Sequence, residues 1–101
     1  NIAQILKGNY NGVAPFLVDP RTSSLQYTEG HNINVSYTYD CHVSDDDQSG
    51  FAATIELAQT SDIVLFFSGI NQSIEAEACD RTYIHLPDIQ LALIQQLEKV
   101  S

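Results

Sequence analysis

Apolar residues follow three different rhythms along this chain. Ile33, Val35, Tyr37 and Tyr39 alternate with Asn34, Ser36 and Thr38, the period-two pattern of a strand with one buried face. Residues 63–67, Ile63-Val64-Leu65-Phe66-Phe67, are apolar without interruption, as expected of a central parallel strand covered by helices on both sides. Phe51, Ala52, Ile55 and Ala58 share a face at helical spacing and predict a helix over 50–59 with Ser49 as its N-cap. Ile89, Leu91, Leu93, Ile94 and Leu97 form the apolar side of another helix, which starts behind Leu86-Pro87 with Asp88 as N-cap and runs to about Val100.

Shorter signals fill the rest. Ile2, Ala3, Ile5 and Leu6 fit a helical turn ended by Gly8, and Asn9-Tyr10-Asn11-Gly12 reads as a turn because Asn and Gly tolerate positive φ. Pro15 and Pro20 frame a short extended piece, Pro20 is suited to starting a helix, and residues 22–27 are weakly helical. Residues 40–50, with Ser44-Asp45-Asp46-Asp47, are expected to form a solvated acidic loop. The order helix, strand, helix, strand, loop, helix predicts an α/β fold with a mostly parallel sheet. Two strands are too few to complete such a sheet, and their edges would stand open. The chain is therefore expected to be a portion of a larger domain that behaves poorly alone, and its opening on Asn1 rather than Met agrees with that expectation.

Charge narrows the partners. The 101 residues carry 13 acidic side chains against four basic ones, Lys7, Arg21, Arg81 and Lys99, for a net charge of −9. Such a surface repels phosphate backbones and anionic lipid, so neither nucleic acid nor a membrane is an expected partner. Neutral polar ligands, sugars among them, remain. The 44% hydrophobic share is that of an ordinary globular chain. No window approaches the roughly 20 apolar residues of a membrane-spanning helix, and Asn1 does not open a signal peptide.

Cys41 and Cys79 both follow expected strand ends; they either join in one disulfide or remain two thiols, since spacing alone does not set the separation a bridge requires. With no CxxC or HExxH spacing, and with His31, His42 and His85 scattered, no zinc site is expected. The three-Asp run lacks the glycine and ligand spacing of an EF-hand loop. Asn34-Val35-Ser36 and Asn71-Gln72-Ser73 match the glycosylation sequon; a glycan on Asn71 would obstruct the segment that follows.

That segment, residues 69–81, places Glu75, Glu77, Asp80 and Arg81 just beyond the second expected strand. Loops leaving the carboxyl ends of parallel strands are where ligands bind. Paired carboxyl groups flanking a glycosidic bond hydrolyse it when one is protonated and the other ionised. In an extended chain Glu75 and Glu77 would point to one side, and their repulsion would raise the pKa of one, as a general acid requires. Asp80 and Arg81 would form an ion pair fixing the loop, or bind sugar hydroxyls. A merely solvated acidic loop accounts for the same residues without chemistry.

Gln72-Ser73-Ile74-Glu75-Ala76-Glu77, followed by Asp80-Arg81 and Leu86-Pro87, resembles the signature of the C-terminal α/β-sandwich domain of family 3 glycoside hydrolases, in the β-xylosidase-like branch. Gly8-Asn9-Tyr10-Asn11-Gly12-Val13-Ala14-Pro15-Phe16 resembles a second stretch of that domain, and Gly50-Phe51-Ala52-Ala53 and Ser61-Asp62-Ile63-Val64 fit between them in the family's order. The resemblance covers nearly the whole chain and implies that residues 1–101 are part of that C-terminal domain. The TIM-barrel domain that would precede it, with the nucleophilic aspartate, would be absent from this chain.

The implied activity is retaining, exo-acting β-xylosidase action on xylo-oligosaccharides, in a secreted, lysosomal or cell-wall-associated enzyme of xylan catabolism. No cofactor or metal is implied, and the partners would be the oligosaccharide and the barrel domain. By motif, Glu75 would be the general acid/base, with Glu77 as the alternative. Asn71, Gln72 and Glu77 would contact substrate, and Asp80 and Arg81 would shape the loop. Asn71 departs from the Asp often found before Gln-Ser, and Asp88 from the glycine that commonly follows Leu-Pro, so the sugar contacts at Asn71 are expected to differ.

The rival is a non-catalytic carbohydrate-binding or barrel-capping module that kept the fold. A nucleotide-binding domain would need a glycine-rich turn, where Gly69-Ile70-Asn71 has one glycine. Tyr10 and Phe16 are candidates for stacking on sugar rings, with core packing as the default.

Overall fold

A computed structural model of the chain describes residues 5–8, 11–39 and 41–100. The expected helical contribution of Ile2 and Ala3, the turn residues Asn9 and Tyr10, and Asp40 lie outside these. The chain divides into two compact units, Asn1–Tyr37 and Thr38–Ser101.

In the first unit, the Gly8 N–H donates to the Ile5 carbonyl at 3.2 Å, with Gly8 at φ 66°. Helix α1, Pro20–Thr28, is better formed than its weak periodicity predicts. Its stability is local. The Asp19 carboxylate caps it by accepting from the Thr22 N–H at 2.9 Å and the Thr22 hydroxyl at 3.1 Å, and Pro20 supplies a helical φ in the first turn. Gly30, at φ 79°, follows the other end, where His31 N–H returns to the Thr28 carbonyl at 3.0 Å. None of α1's residues is buried. Nearby, the Arg21 guanidinium lies 5.0 Å from the Tyr37 ring centroid, a cation–π distance.

The second unit is built on α2, Phe51–Gln59, and α3, Asp88–Leu97, which pack together. Phe51, Ala58, Ile89, Leu93 and Leu97 are buried between them, with Cys41, Ile55, Phe66, Ala92 and Val100 packed around the edge. Both helices begin otherwise than expected. Gly50, not Ser49, stands at the cap of α2, without a side-chain hydrogen bond. Ser49's backbone N–H is already committed to the Asp47 carboxylate at 2.9 Å. Pro87 stands at the cap of α3 and Asp88 is its first residue, where a negative charge still favours the positive end of the helix dipole. α3 ends at Leu97 rather than near Val100.

The expected strands are the main correction. Neither 33–39 nor 63–67 forms one, and among the described residues the only β pairing is an isolated antiparallel bridge, Ala76–Cys79. Alternation and apolarity report which side chains demand burial; a strand also needs a neighbouring backbone to complete its ladder. The described residues thus form three helices with almost no strand, not the α/β sheet expected.

Residues 63–67 nevertheless show two faces. Phe66 packs on the core, whereas Ile63, Leu65 and Phe67 are 78%, 68% and 63% exposed. Phe16, expected in a core, is also exposed.

Candidate functional site

The acidic loop leaves the second unit's core at Gly69, whose position is set from α3. Gln90 is a buried polar residue, 4% exposed, among the apolar side chains of that helix. Its Nε2 donates to the carbonyls of Gly69 at 2.7 Å and Val43 at 2.9 Å. Its Oε1 accepts the Gly69 N–H at 3.0 Å. One side-chain amide therefore grips both polar groups of the Gly69 backbone, as a neighbouring strand would.

Beyond Gly69 the chain turns twice instead of extending. Asn71 makes the first turn: its Oδ1 accepts from the Ser73 N–H at 3.0 Å and the Ser73 hydroxyl at 2.5 Å. Its carbonyl accepts from the N–H groups of Ile74 at 3.0 Å and Glu75 at 3.2 Å. The second turn is closed by reciprocal bonds between Ala76 and Cys79, at 3.0 and 2.9 Å. It requires a positive φ of 63° at Ala78, where glycine would be at ease and a Cβ costs roughly 1–2 kcal/mol.

Glu75 thus precedes the second turn and Glu77 lies within it, so the two do not project from one extended segment as expected. The predicted ion pair also differs. Arg81 Nε meets Glu75 Oε2 at 2.6 Å, instead of pairing with the adjacent Asp80. The Arg81 side chain is 30% exposed and that of Glu75 47%, so the pair sits in a partly screened surface setting. Asn71 is half-buried, and Gln72, Glu77 and Asp80 are exposed. The structure therefore joins Asn71, Glu75 and Arg81 in one hydrogen-bonded loop, with Gln72, Glu77 and Asp80 along its rim. Past it, Tyr83 and His85 stack with ring centroids 4.4 Å apart.

The other acidic segment binds itself. Asp45 accepts the Asp47 N–H at 3.1 Å and pairs with His42 at 2.8 Å. The Asp47 carboxyl is held below its ordinary range, chiefly by the Ser49 backbone N–H. Among the described residues, no three His, Cys, Asp or Glu side chains gather as a metal site, and no helix is long and apolar enough to cross a membrane. Cys41 and Cys79 are both free thiols. Burial, and then the charge of Asp45, push the Cys41 thiol above its ordinary pKa.

Gln90 is the residue that sequence reasoning missed. Its signal was present: a polar residue three and seven positions before Leu93 and Leu97, on the face that both bury.

The chain is similar over its whole length to fungal exo-1,4-β-xylosidases. It is 36% identical over 101 residues to the probable exo-1,4-beta-xylosidase xlnD of Aspergillus fumigatus, strain CBS 144.89 / FGSC A1163 / CEA10. The corresponding figures are 38% for exo-1,4-beta-xylosidase xlnD of Aspergillus niger and 35% for that of Emericella nidulans. These matches take in 100% of this chain but 12% of each relative. No protein-family profile matches the chain, and no solved structure does.

Proposed function

We propose that this chain supplies the acid/base loop of an exo-acting, retaining β-xylosidase of glycoside hydrolase family 3, within that enzyme's C-terminal α/β-sandwich domain. The observation that carries the proposal is the similarity across all 101 residues to proteins named as exo-1,4-β-xylosidases. Because the chain spans 12% of their length, the rest of the enzyme, including a TIM barrel bearing the nucleophilic aspartate, belongs to the proposal too. So does a secreted location, suited to xylo-oligosaccharides released from xylan. The outward side chains of Ile63, Leu65 and Phe67 support a larger domain, because such an apolar row is normally covered.

Glu75 takes the acid/base role. In the first step the barrel's aspartate attacks the anomeric carbon while the Glu75 carboxyl gives its proton to the departing glycosidic oxygen. In the second, the Glu75 carboxylate takes a proton from water, whose oxygen bonds to the anomeric carbon as the aspartate leaves. Two carboxyl groups suffice, without a cofactor. Asn71, Gln72 and Glu77 lie where sugar hydroxyls would meet the loop. The Glu75–Arg81 contact supports the assignment to this extent: it fixes the Glu75 carboxyl group in one position on the loop.

The test uses full-length enzyme and an activated aryl β-xyloside, with azide as external nucleophile. Such a leaving group needs little acid assistance and azide needs no base, so Glu75→Gln should be slow in water and rescued by azide. Rescue of Glu77→Gln alone would transfer the role to Glu77. An inactive, folded wild type would favour a carbohydrate-binding module.

A further inference from the structure

We infer that Gln90 is a positioning residue for the acid/base loop, fixing through the Gly69 backbone where that loop leaves the core. The inference rests on the proposal that the loop carries the acid/base group.

Three hydrogen bonds commit the whole donor capacity and the carbonyl of a nearly inaccessible amide. A buried amide is retained at such a position only when its polar groups are satisfied, and Gln90 satisfies them on backbone rather than on other side chains. The connection continues beyond Gly69. Asn71 folds the next turn back onto the Glu75 N–H, and Arg81 holds the Glu75 carboxylate. Hydrogen bonds joined through the Gly69–Asn71 backbone thus run from α3 to the Glu75 N–H, and the Arg81 contact holds the carboxyl group beyond it. Proton transfer demands a fixed distance, and displacement by about 1 Å costs on the order of 100-fold in rate.

Leaving-group dependence separates positioning from plain structural support. Full-length enzyme carrying Gln90→Met is compared with wild type, with azide present so that the second step needs no base, on an alkyl β-xyloside, which needs acid assistance, and on a dinitrophenyl β-xyloside, which does not. The expected result is a loss of roughly 10- to 100-fold in kcat on the alkyl substrate, with KM and the dinitrophenyl rate nearly unchanged. Leu93→Ala, one turn along the same face, serves as the structural control; it should lower thermal stability without splitting the substrates. An equal loss on both substrates, no loss, or the same split in Leu93→Ala would overturn the inference.

Gln90→Glu keeps an acceptor for the Gly69 N–H but loses the donors, and should show the split even if Gln90→Met does not fold. Failure of both to fold, while Leu93→Ala folds, would assign Gln90 a purely structural role. Glu75→Gln is measured alongside. If it shows the split and the Gln90 variants do not, this inference alone fails. If it shows none, the assignment of Glu75 fails separately.

Discussion

Leu65→Ala tests whether the apolar run 63–67 is covered in the full-length protein. Complete burial of a leucine side chain is worth about 1.5–3 kcal/mol relative to full exposure. With Leu65 68% exposed in this chain, covering it would recover about two thirds of that, roughly 1–2 kcal/mol. Truncating it beneath a cover also leaves a cavity, which raises the expected destabilisation to about 2–5 kcal/mol. If the row faces water, the same change costs within about 0.5 kcal/mol. Leu93, 1% exposed at the centre of the helix pair, calibrates the upper figure in the same assay. Urea unfolding of the full-length protein, followed by far-UV circular dichroism, should show Leu65→Ala and Leu93→Ala shifted together. A Leu65→Ala midpoint equal to wild type, beside a shifted Leu93→Ala, would refute the covering layer and with it the larger sheet.

Two further expectations concern local conformation. Ala78→Gly relieves about 1–2 kcal/mol of steric cost at positive φ and returns about 0.4–1 kcal/mol of chain entropy to the unfolded state. It should therefore stabilise by between about 0 and 1.6 kcal/mol; a destabilised variant by the same urea assay would contradict the turn geometry. The Asp19 carboxyl is held below its ordinary range, chiefly by the hydrogen bond from the Thr22 backbone N–H. Its capping contribution is accordingly present above the unfolded-state pKa and lost as pH falls through the lower folded value. Amide protection in α1 should decline in acid through that window, and less steeply in Asp19→Asn; identical profiles would exclude the carboxylate as the titrating cap.

Helices were legible in this chain and strands were not, for one physical reason. The hydrogen bonds of α2 and α3 close within each segment, so the spacing of Phe51, Ile55 and Ala58, or of Ile89, Leu93 and Leu97, already specifies both the helix and its buried side. The run 63–67 carries an equally strong apolar signal, but its ladder must come from backbone elsewhere. Periodicity understated α1 because its support comes from the Asp19 cap and Pro20 rather than from a buried face. Residue types singled out the acidic loop, while the partners within it depended on turns that alternation does not encode. Arg81 meets Glu75 rather than Asp80 because the chain reverses at Ala76–Cys79 and brings Arg81 back.

The loop's order comes from a side-chain amide where a sheet was expected. Strand ends position catalytic loops because a ladder fixes the last backbone groups before the chain departs. Here Gln90 makes the bonds to Gly69 that a neighbouring strand would make, and it does so from a helix whose Leu93 and Leu97 lie in the core. The exit point is thereby tied to the best-packed part of the unit, although residues 63–67 have no ladder. Asn71 and Arg81 extend that order by short-range contacts to Glu75. Glu77 sits within the Ala76–Cys79 turn. Under the proposed function, an acid/base group must meet the glycosidic oxygen and then water from one position, and the contacts that hold Glu75 serve that requirement.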